Sequence, residues 1–249
     1  MGLVTTPAIV LHAFPYSETS KIVRFATRQL GVQSALARGA RRRKSGVGGR
    51  LETFSEGQAH LYVKENRDLH TLSSFDVERE RLALAVPLAR FAAASALAEL
   101  QLRCAPPASL PGAYDVLREH LDSISTAAPA ELGAVGLRAL WQLVGALGFA
   151  PSLDTCVLDG TPLSSAGRVP FSSTDGGALC HRCATGRDAI SLTATDFAAL
   201  RQLAWGSAEL PHLSKRHAAA HRRLLARFIT THLAEGRLLP AVAFWEHLS

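Results

Sequence analysis

The chain reads as an α+β protein: a small N-terminal β-barrel, then a helical domain that a cysteine-bearing loop interrupts. Three observations predict this. Over residues 1–79, short runs rich in β-branched and aromatic residues are broken at regular intervals by turn formers. From about Glu80, Ala, Leu, Glu, Arg and Gln take over and the apolar spacing becomes helical, giving a second domain over 80–249. Within it, residues 151–189 are rich in Gly, Ser, Pro and Asp and hold three of the four cysteines.

Five strands are expected in the first domain, over Thr5 to Ala13, Lys21 to Thr27, Val32 to Arg38, Phe54 to Lys64 and Leu69 to Val77. Gly31 supplies a tight connection between the second and third, and Glu65-Asn66-Arg67-Asp68 supplies turn chemistry between the last two. Five short strands in so few residues suggest a barrel of the OB-fold type, with residues 39–50 as the loop joining the third and fourth strands. In the second domain one helix runs from about Leu88 to Arg103 and stops ahead of Pro106-Pro107. A second covers Ala130 to Leu147, with Leu132, Val135, Leu140, Leu143, Val144 and Leu147 on one face and Gly148 as its stop. Two more are expected over Thr195 to Trp205, capped by Thr193 with Asp196, and over Lys215 to Glu235, with Gly206 and Gly236 at their ends. The cysteine loop is too rich in breakers to pack as a helix.

Composition narrows the function. At 249 residues and 47% hydrophobic the chain can bury one or two cores, and four cysteines are too few for a disulfide scaffold. The first 16 residues lack a basic leader and an unbroken apolar core, and no run reaches the roughly 18 apolar residues of a bilayer span. A cytoplasmic protein with no membrane partner is the expectation.

Charge is the most informative feature. Between Glu18 and Glu52 there is no acidic residue, yet Lys21, Arg24, Arg28, Arg38, Arg41, Arg42, Arg43, Lys44 and Arg50 supply nine cations. The whole chain carries +6, so everything outside this window sums to −3. A local deposit of this kind suits a polyanion, and closely spaced phosphates fit best. Lys44-Ser45 does not make a nucleotide-binding P-loop, because the glycines that motif needs fall at Arg38 and Arg43. Phe14, Tyr16, Phe25, Phe54 and Tyr62 lie among these strands as candidates for stacking on bases, with the alternation leaving open which face outward.

The sharpest local motif is Cys156-x-x-Asp159, then twenty residues, then Cys180-His181-Arg182-Cys183. Two turns that each offer ligands at i and i+3 are how a zinc-finger-like loop points four donors at one tetrahedral ion. Asp159 is the fourth donor in this pattern, with His181 as an alternative. A zinc here would be structural. His217 and His221 share a helical face but lack the adjacent glutamate of a zinc-protease helix, so they are expected on a solvated or phosphate-facing surface, and Cys104 is expected in the core. No serine elbow, paired-carboxylate signature or glycine-rich dinucleotide turn appears, which argues against an enzyme.

Several segments, in order along nearly the whole chain, carry a family resemblance. Val10-Leu11-His12, together with Tyr16-Ser17-Glu18-Thr19-Ser20-Lys21-Ile22-Val23, resembles the opening strand, turn and second strand of the RecO family of bacterial DNA repair and recombination mediators. Leu36 to Ser45 resembles that family's basic AKGARRxKS segment and Leu51 to Phe54 its LxPF run. Ala94 to Leu100 resembles its AxYLxEL helix, while Leu147 to Pro151 and Phe171 to Cys183 frame the cysteine loop as in the family. The resemblance implies an N-terminal OB-fold, a helical domain and a zinc-finger-like insertion. It implies a function without catalysis: binding single- and double-stranded DNA, annealing complementary strands coated by single-strand binding protein, and working with RecR to load RecA. The DNA role then falls on Arg38, Arg41, Arg42, Arg43 and Lys44, with Lys21, Arg24 and Arg50 in support. Asp159 departs from metal-holding members, which have a cysteine there. Two rival readings are a docking adaptor, whose helical domain binds single-strand binding protein or RecR with incidental DNA contact, and a zinc-dependent nucleic-acid enzyme.

Overall fold

Residues 2–41, 51–64, 67–164, 167–206 and 209–248 are described by the computed structural model. Five strands, β1 (Gly2–Pro15), β2 (Lys21–Thr27), β3 (Gly31–Ala37), β4 (Glu56–Val63) and β5 (Leu69–Arg79), close into a barrel in the order β1-β2-β3-β5-β4. Neighbours are antiparallel except β3 and β5, which run parallel through Ser34↔Leu69, Ala35↔His70 and Leu36↔Thr71. Alternation along the strands sends Val23, Phe25, Ala35, Ala59, Leu61, Leu72 and Phe75 inward, with the Phe25 and Phe75 rings 5.4 Å apart. Gly31, at φ +73°, makes the β2–β3 turn with a backbone shape that suits glycine. Gly57 sits where β4 and β5 nearly touch: a Cβ there would lie 2.1 Å from the Asp76 carbonyl oxygen.

The strands follow the expected positions, with two instructive shifts. β4 begins at Glu56 and not at Phe54, because Phe54 has φ +73° and a left-handed residue cannot continue a strand. β3 ends at Ala37, which leaves Arg38 outside the ladder. The 65–68 turn lies partly outside the described residues.

Backbone packing separates two units: Met1–Phe91 with Ala98–Ser125, and Ala92–Leu97 with Thr126–Ser249. Helix α1 (Leu88–Cys104) contributes to both. Helix α2 (Pro111–Thr126) belongs almost entirely to the barrel's unit and is absent from the sequence expectation. Pro111 and Gly112 read as loop formers, yet proline is well suited to a first helical turn. Ala113, Tyr114, Leu117, His120, Leu121 and Ile124 form its buried stripe. Asp115 accepts two bonds from Arg28, at 3.1 and 3.0 Å, and Asp122 accepts from Arg79 and, at 2.7 Å, from Arg81.

The second unit packs α3 (Leu132–Ala146), α5 (Ala194–Trp205), α6 (Lys215–His232) and α7 (Pro240–Glu246) around Leu140, Trp141, Leu200, Leu225, Phe228 and Ile229. Trp141 meets Phe228 edge-on at 5.1 Å. Thr193 caps α5 through the Asp196 N–H at 3.1 Å, and Gly148, at φ +96°, follows α3. The cysteine loop is more ordered than its composition suggests. It forms a small sheet, β6 (Val169–Ser172), β7 (Gly177–Ala178) and β8 (Ile190–Leu192) in the order β7-β6-β8, and one helical turn, α4 (His181–Ala184). Phe171 anchors that sheet on Phe228, at 6.4 Å between rings. Among the described residues no helix is long and apolar enough to cross a membrane.

Candidate functional site

At one end of the barrel the β1–β2 turn and the chain leaving β3 are tied together. The Tyr16 N–H donates to the Ser20 carbonyl at 3.0 Å, closing the turn. The Arg41 N–H then donates to the Thr19 carbonyl at 3.0 Å, and its Nη1 to the Ser17 carbonyl at 2.8 Å. A cleft of 340 Å³ opens here, lined by Tyr16, Ser17, Thr19, Ser20, Leu36, Arg38 and Gly39. Arg38 and Arg41 are exposed, while Lys21 and Arg24 on β2 are half-buried. Arg24 lies opposite Ser34 on β3 and His12 on β1, and its Nε is buried without a hydrogen-bond partner. Among the described residues no carboxylate forms an ion pair with Lys21, Arg24, Arg38 or Arg41. Arg42, Arg43, Lys44 and Arg50 lie outside the described residues.

Tertiary structure corrects the picture of nine uncompensated cations at one of them. Arg28 pairs with Asp115, and that hydrogen-bonded guanidinium holds the Asp115 carboxyl below the usual carboxylate range. The aromatic candidates divide as well. Phe25 and Phe54 are buried and Phe14 is half-buried against His12, so none of the three is an open platform. Tyr16 is 60% exposed and Tyr62 39%.

In the second unit, Cys156, Asp159, Cys180 and Cys183 each place one ligand atom within 4.8 Å of all the others. The local chain makes this possible. Cys156 opens a turn in which the Gly160 N–H reaches the Cys156 carbonyl at 2.9 Å, and Gly160 takes φ +70°. Cys180 caps α4, its sulfur accepting the Cys183 N–H at 3.4 Å, so Cys180 and Cys183 face the same point. Gly177 lets the two halves approach, since a Cβ there would sit 2.5 Å from the Ser152 carbonyl oxygen. Asp159 turns Oδ1 to the Thr161 N–H at 3.0 Å and Oδ2 toward the sulfurs, 3.5 Å from Cys180 and 3.2 Å from Cys183. A tetrahedral zinc with ordinary bond lengths needs sulfur–oxygen edges of about 3.5 to 3.7 Å. The donor set therefore fits a zinc-sized ion after small adjustments, and the carboxylate grouped with the three cysteines is that of Asp159.

The electrostatics suit a cation. The Thr161 N–H, the Arg182 guanidinium and the thiols hold the Asp159 carboxyl well below the usual carboxylate range. The Cys183 thiol, donating to Asp159 and hydrogen-bonded with Cys180, is pushed up to about 12. Burial raises the Cys156 pKa, but the backbone N–H groups of Cys180, Leu158 and Asp159 outweigh it and the net shift is downward. The thiol protons are what a bound ion would displace. Arg182 was missed as a participant: its Nη2 lies 2.9 Å from Asp159 Oδ2. An arginine inside a Cys-x-x-Cys turn beside an acidic ligand was the available signal.

His217 is exposed, but His221 is 3% exposed with neither ring nitrogen hydrogen-bonded, which corrects its expected place on a solvated surface. On α6 the i and i+4 positions straddle the boundary of the buried stripe, and Asp196 Oδ1 stands 3.8 Å from His221 Nε2.

Comparison with known proteins finds sequence matches over most of the chain. A family model described as Recombination protein O N terminal covers residues 1–80, and one described as Recombination protein O C terminal covers residues 87–239. Relatives named DNA repair protein RecO occur across bacteria. That of Anaeromyxobacter dehalogenans (strain 2CP-C) is 34% identical, over 100% of this chain and 98% of its own length. That of Synechococcus elongatus is 32% identical, over 83% of this chain and 81% of its own length. That of Syntrophotalea carbinolica is 30% identical, over 74% of this chain and 70% of its own length. With both family models matched in order and relatives similar from end to end, the chain belongs to the recombination protein O family, whose role is in DNA repair and recombination.

Proposed function

We propose that this chain is a non-catalytic DNA repair and recombination mediator acting in the cytoplasm at the nucleoid. It binds single- and double-stranded DNA through its N-terminal domain (1–79) and anneals complementary strands, including strands coated by single-strand binding protein. With RecR it assists loading of RecA. The observation that carries this reading is the pair Arg38 and Arg41, exposed, free of carboxylate partners among the described residues and followed in the sequence by Arg42, Arg43 and Lys44. Annealing brings two polyanionic backbones together, and fixed cations lower the repulsion that opposes pairing. Lys21, Arg24 and Arg50 extend the same charge. In the helical domain (80–249), Cys156, Asp159, Cys180 and Cys183 hold one structural zinc, which supplies cross-linking of the 151–189 loop.

The test is a salt-dependent titration of labelled oligonucleotides with the Arg38→Glu, Arg41→Glu double variant, paired with a fluorescence annealing assay. Single-strand affinity and annealing rate are expected to fall, and the salt dependence to flatten by about 0.7 in slope for each phosphate that is no longer neutralised. Unchanged affinity with an unchanged slope would remove this face from DNA binding.

A further inference from the structure

Most large aromatics of the barrel's unit are inside it or against it, yet Tyr16 is 60% exposed. The backbone that carries it is nevertheless held by hydrogen bonds. The Tyr16 N–H is bound within the turn, and Arg41 clamps the same turn at two carbonyls, those of Ser17 and Thr19. An exposed ring on a clamped backbone is a preorganised platform, since little further ordering is needed when a flat partner lands on it. The residues that line the cleft beside it are of unlike chemistry: apolar Leu36, the hydroxyl-bearing Ser17, Thr19 and Ser20, and Arg38, which has no carboxylate partner among the described residues. Its 340 Å³ lies at the lower end of small-ligand sites, which run from about 300 to 1,000 Å³. That is the size class of a small ligand such as one nucleotide.

We infer that this cleft is a single-nucleotide subsite for single-stranded DNA, in which one unstacked base lies on the Tyr16 ring and its phosphate meets Arg38. The inference rests on the proposed DNA-binding role and deepens it by separating two contributions. Arginines at this end of the barrel attract any phosphate backbone, and their contribution is screened by salt. The Tyr16 ring takes only a base with a free π-face, which a paired and stacked base in a duplex does not present. Tyr16 therefore sets preference for single strands, and it does so independently of salt.

The experiment uses the full chain with fluorescein-labelled oligothymidylate, an abasic sugar-phosphate oligomer of equal length and a duplex, titrated by anisotropy at several salt concentrations. Wild type, Tyr16→Phe and Tyr16→Ala are compared, with thermal melts to establish equal folding, which the exposure of Tyr16 favours. Wild type and Tyr16→Phe are expected to prefer oligothymidylate over the abasic oligomer by about 5- to 150-fold, the range for stacking one base. Tyr16→Ala should lose that preference while keeping wild-type affinity for the abasic oligomer and the duplex, and the wild-type salt slope. If Tyr16→Ala retains the preference, or weakens all three ligands alike, the subsite is refuted. Failure of the broader reading looks different: wild type would then bind none of the three, or bind them with no salt dependence.

Discussion

Asp159 is the one carboxylate in the cysteine cluster, and its side chain occupies a donor's position: Oδ2 points between the two sulfurs of the Cys180-x-x-Cys183 turn. A carboxylate offers a harder oxygen than a thiolate would, and it holds a partner that a thiolate would hold less well, the guanidinium of Arg182. Asp159→Cys is expected to bind zinc more tightly than wild type in a chelator competition. Asp159→Ala should weaken binding by more than the roughly 10- to 100-fold typical of losing an outer-shell partner. A cobalt spectrum unchanged between wild type and Asp159→Ala would show that Asp159 is not a ligand.

Among the elements, α2 depends on buried charge. Arg81 has a side chain only 2% exposed, and it donates to Glu56, to Asp122 at 2.7 Å and to the Phe54 carbonyl at 2.9 Å. One guanidinium thus joins the start of β4, the end of β5 and α2, and it also satisfies the carbonyl of the left-handed Phe54. Arg81→Ala leaves these acceptors unpaired, and an expected loss of about 3 kcal/mol follows from breaking a buried pair on one side only. Urea unfolding measures it; a loss below about 1 kcal/mol would mean that water replaces the guanidinium at these acceptors. Gly57→Ala is expected to destabilise the barrel as well, because the atom to be displaced is backbone, the Asp76 carbonyl oxygen.

For the molecule as a whole, charge and pH act differently. Positive charge is concentrated in one window, so DNA affinity should respond steeply to salt while fold stability does not. Stability should respond to pH through two histidines. Burial depresses the pKa of both His221 and His70 below the usual value. His70 accepts the Lys64 N–H on Nδ1 at 3.3 Å and donates from Nε2 to Gln33 at 2.7 Å, a pattern only the neutral ring satisfies. A depressed folded-state pKa means the unfolded chain takes up protons first. Stability is therefore full above the unfolded value of about 6.5 and falls as pH drops below it toward the folded values. Thermal melts at pH 8 and pH 5.5 should show the decline, and His221→Gln should reduce it; a midpoint rising toward pH 5.5 would contradict the assignment.

Local periodicity made much of this protein legible from its residues. Alternating β-branched runs marked β1 to β5, the helical stripe marked α3, and the acid-free window and i, i+3 ligand spacing marked the two candidate sites, because each depends on near neighbours in the chain. Partner choice across long separations was not legible. The parallel pairing of β3 with β5, the capture of Arg28 by Asp115, the burial of Arg81 and His221, and the outward turn of Tyr16 while Phe25 turns inward all depend on which surfaces meet after the barrel and the helices have closed. Helix α2 hid for a related reason. Its Pro111-Gly112 opening signals a break, and only burial of its Tyr114, Leu117 and Leu121 face overrides that local preference.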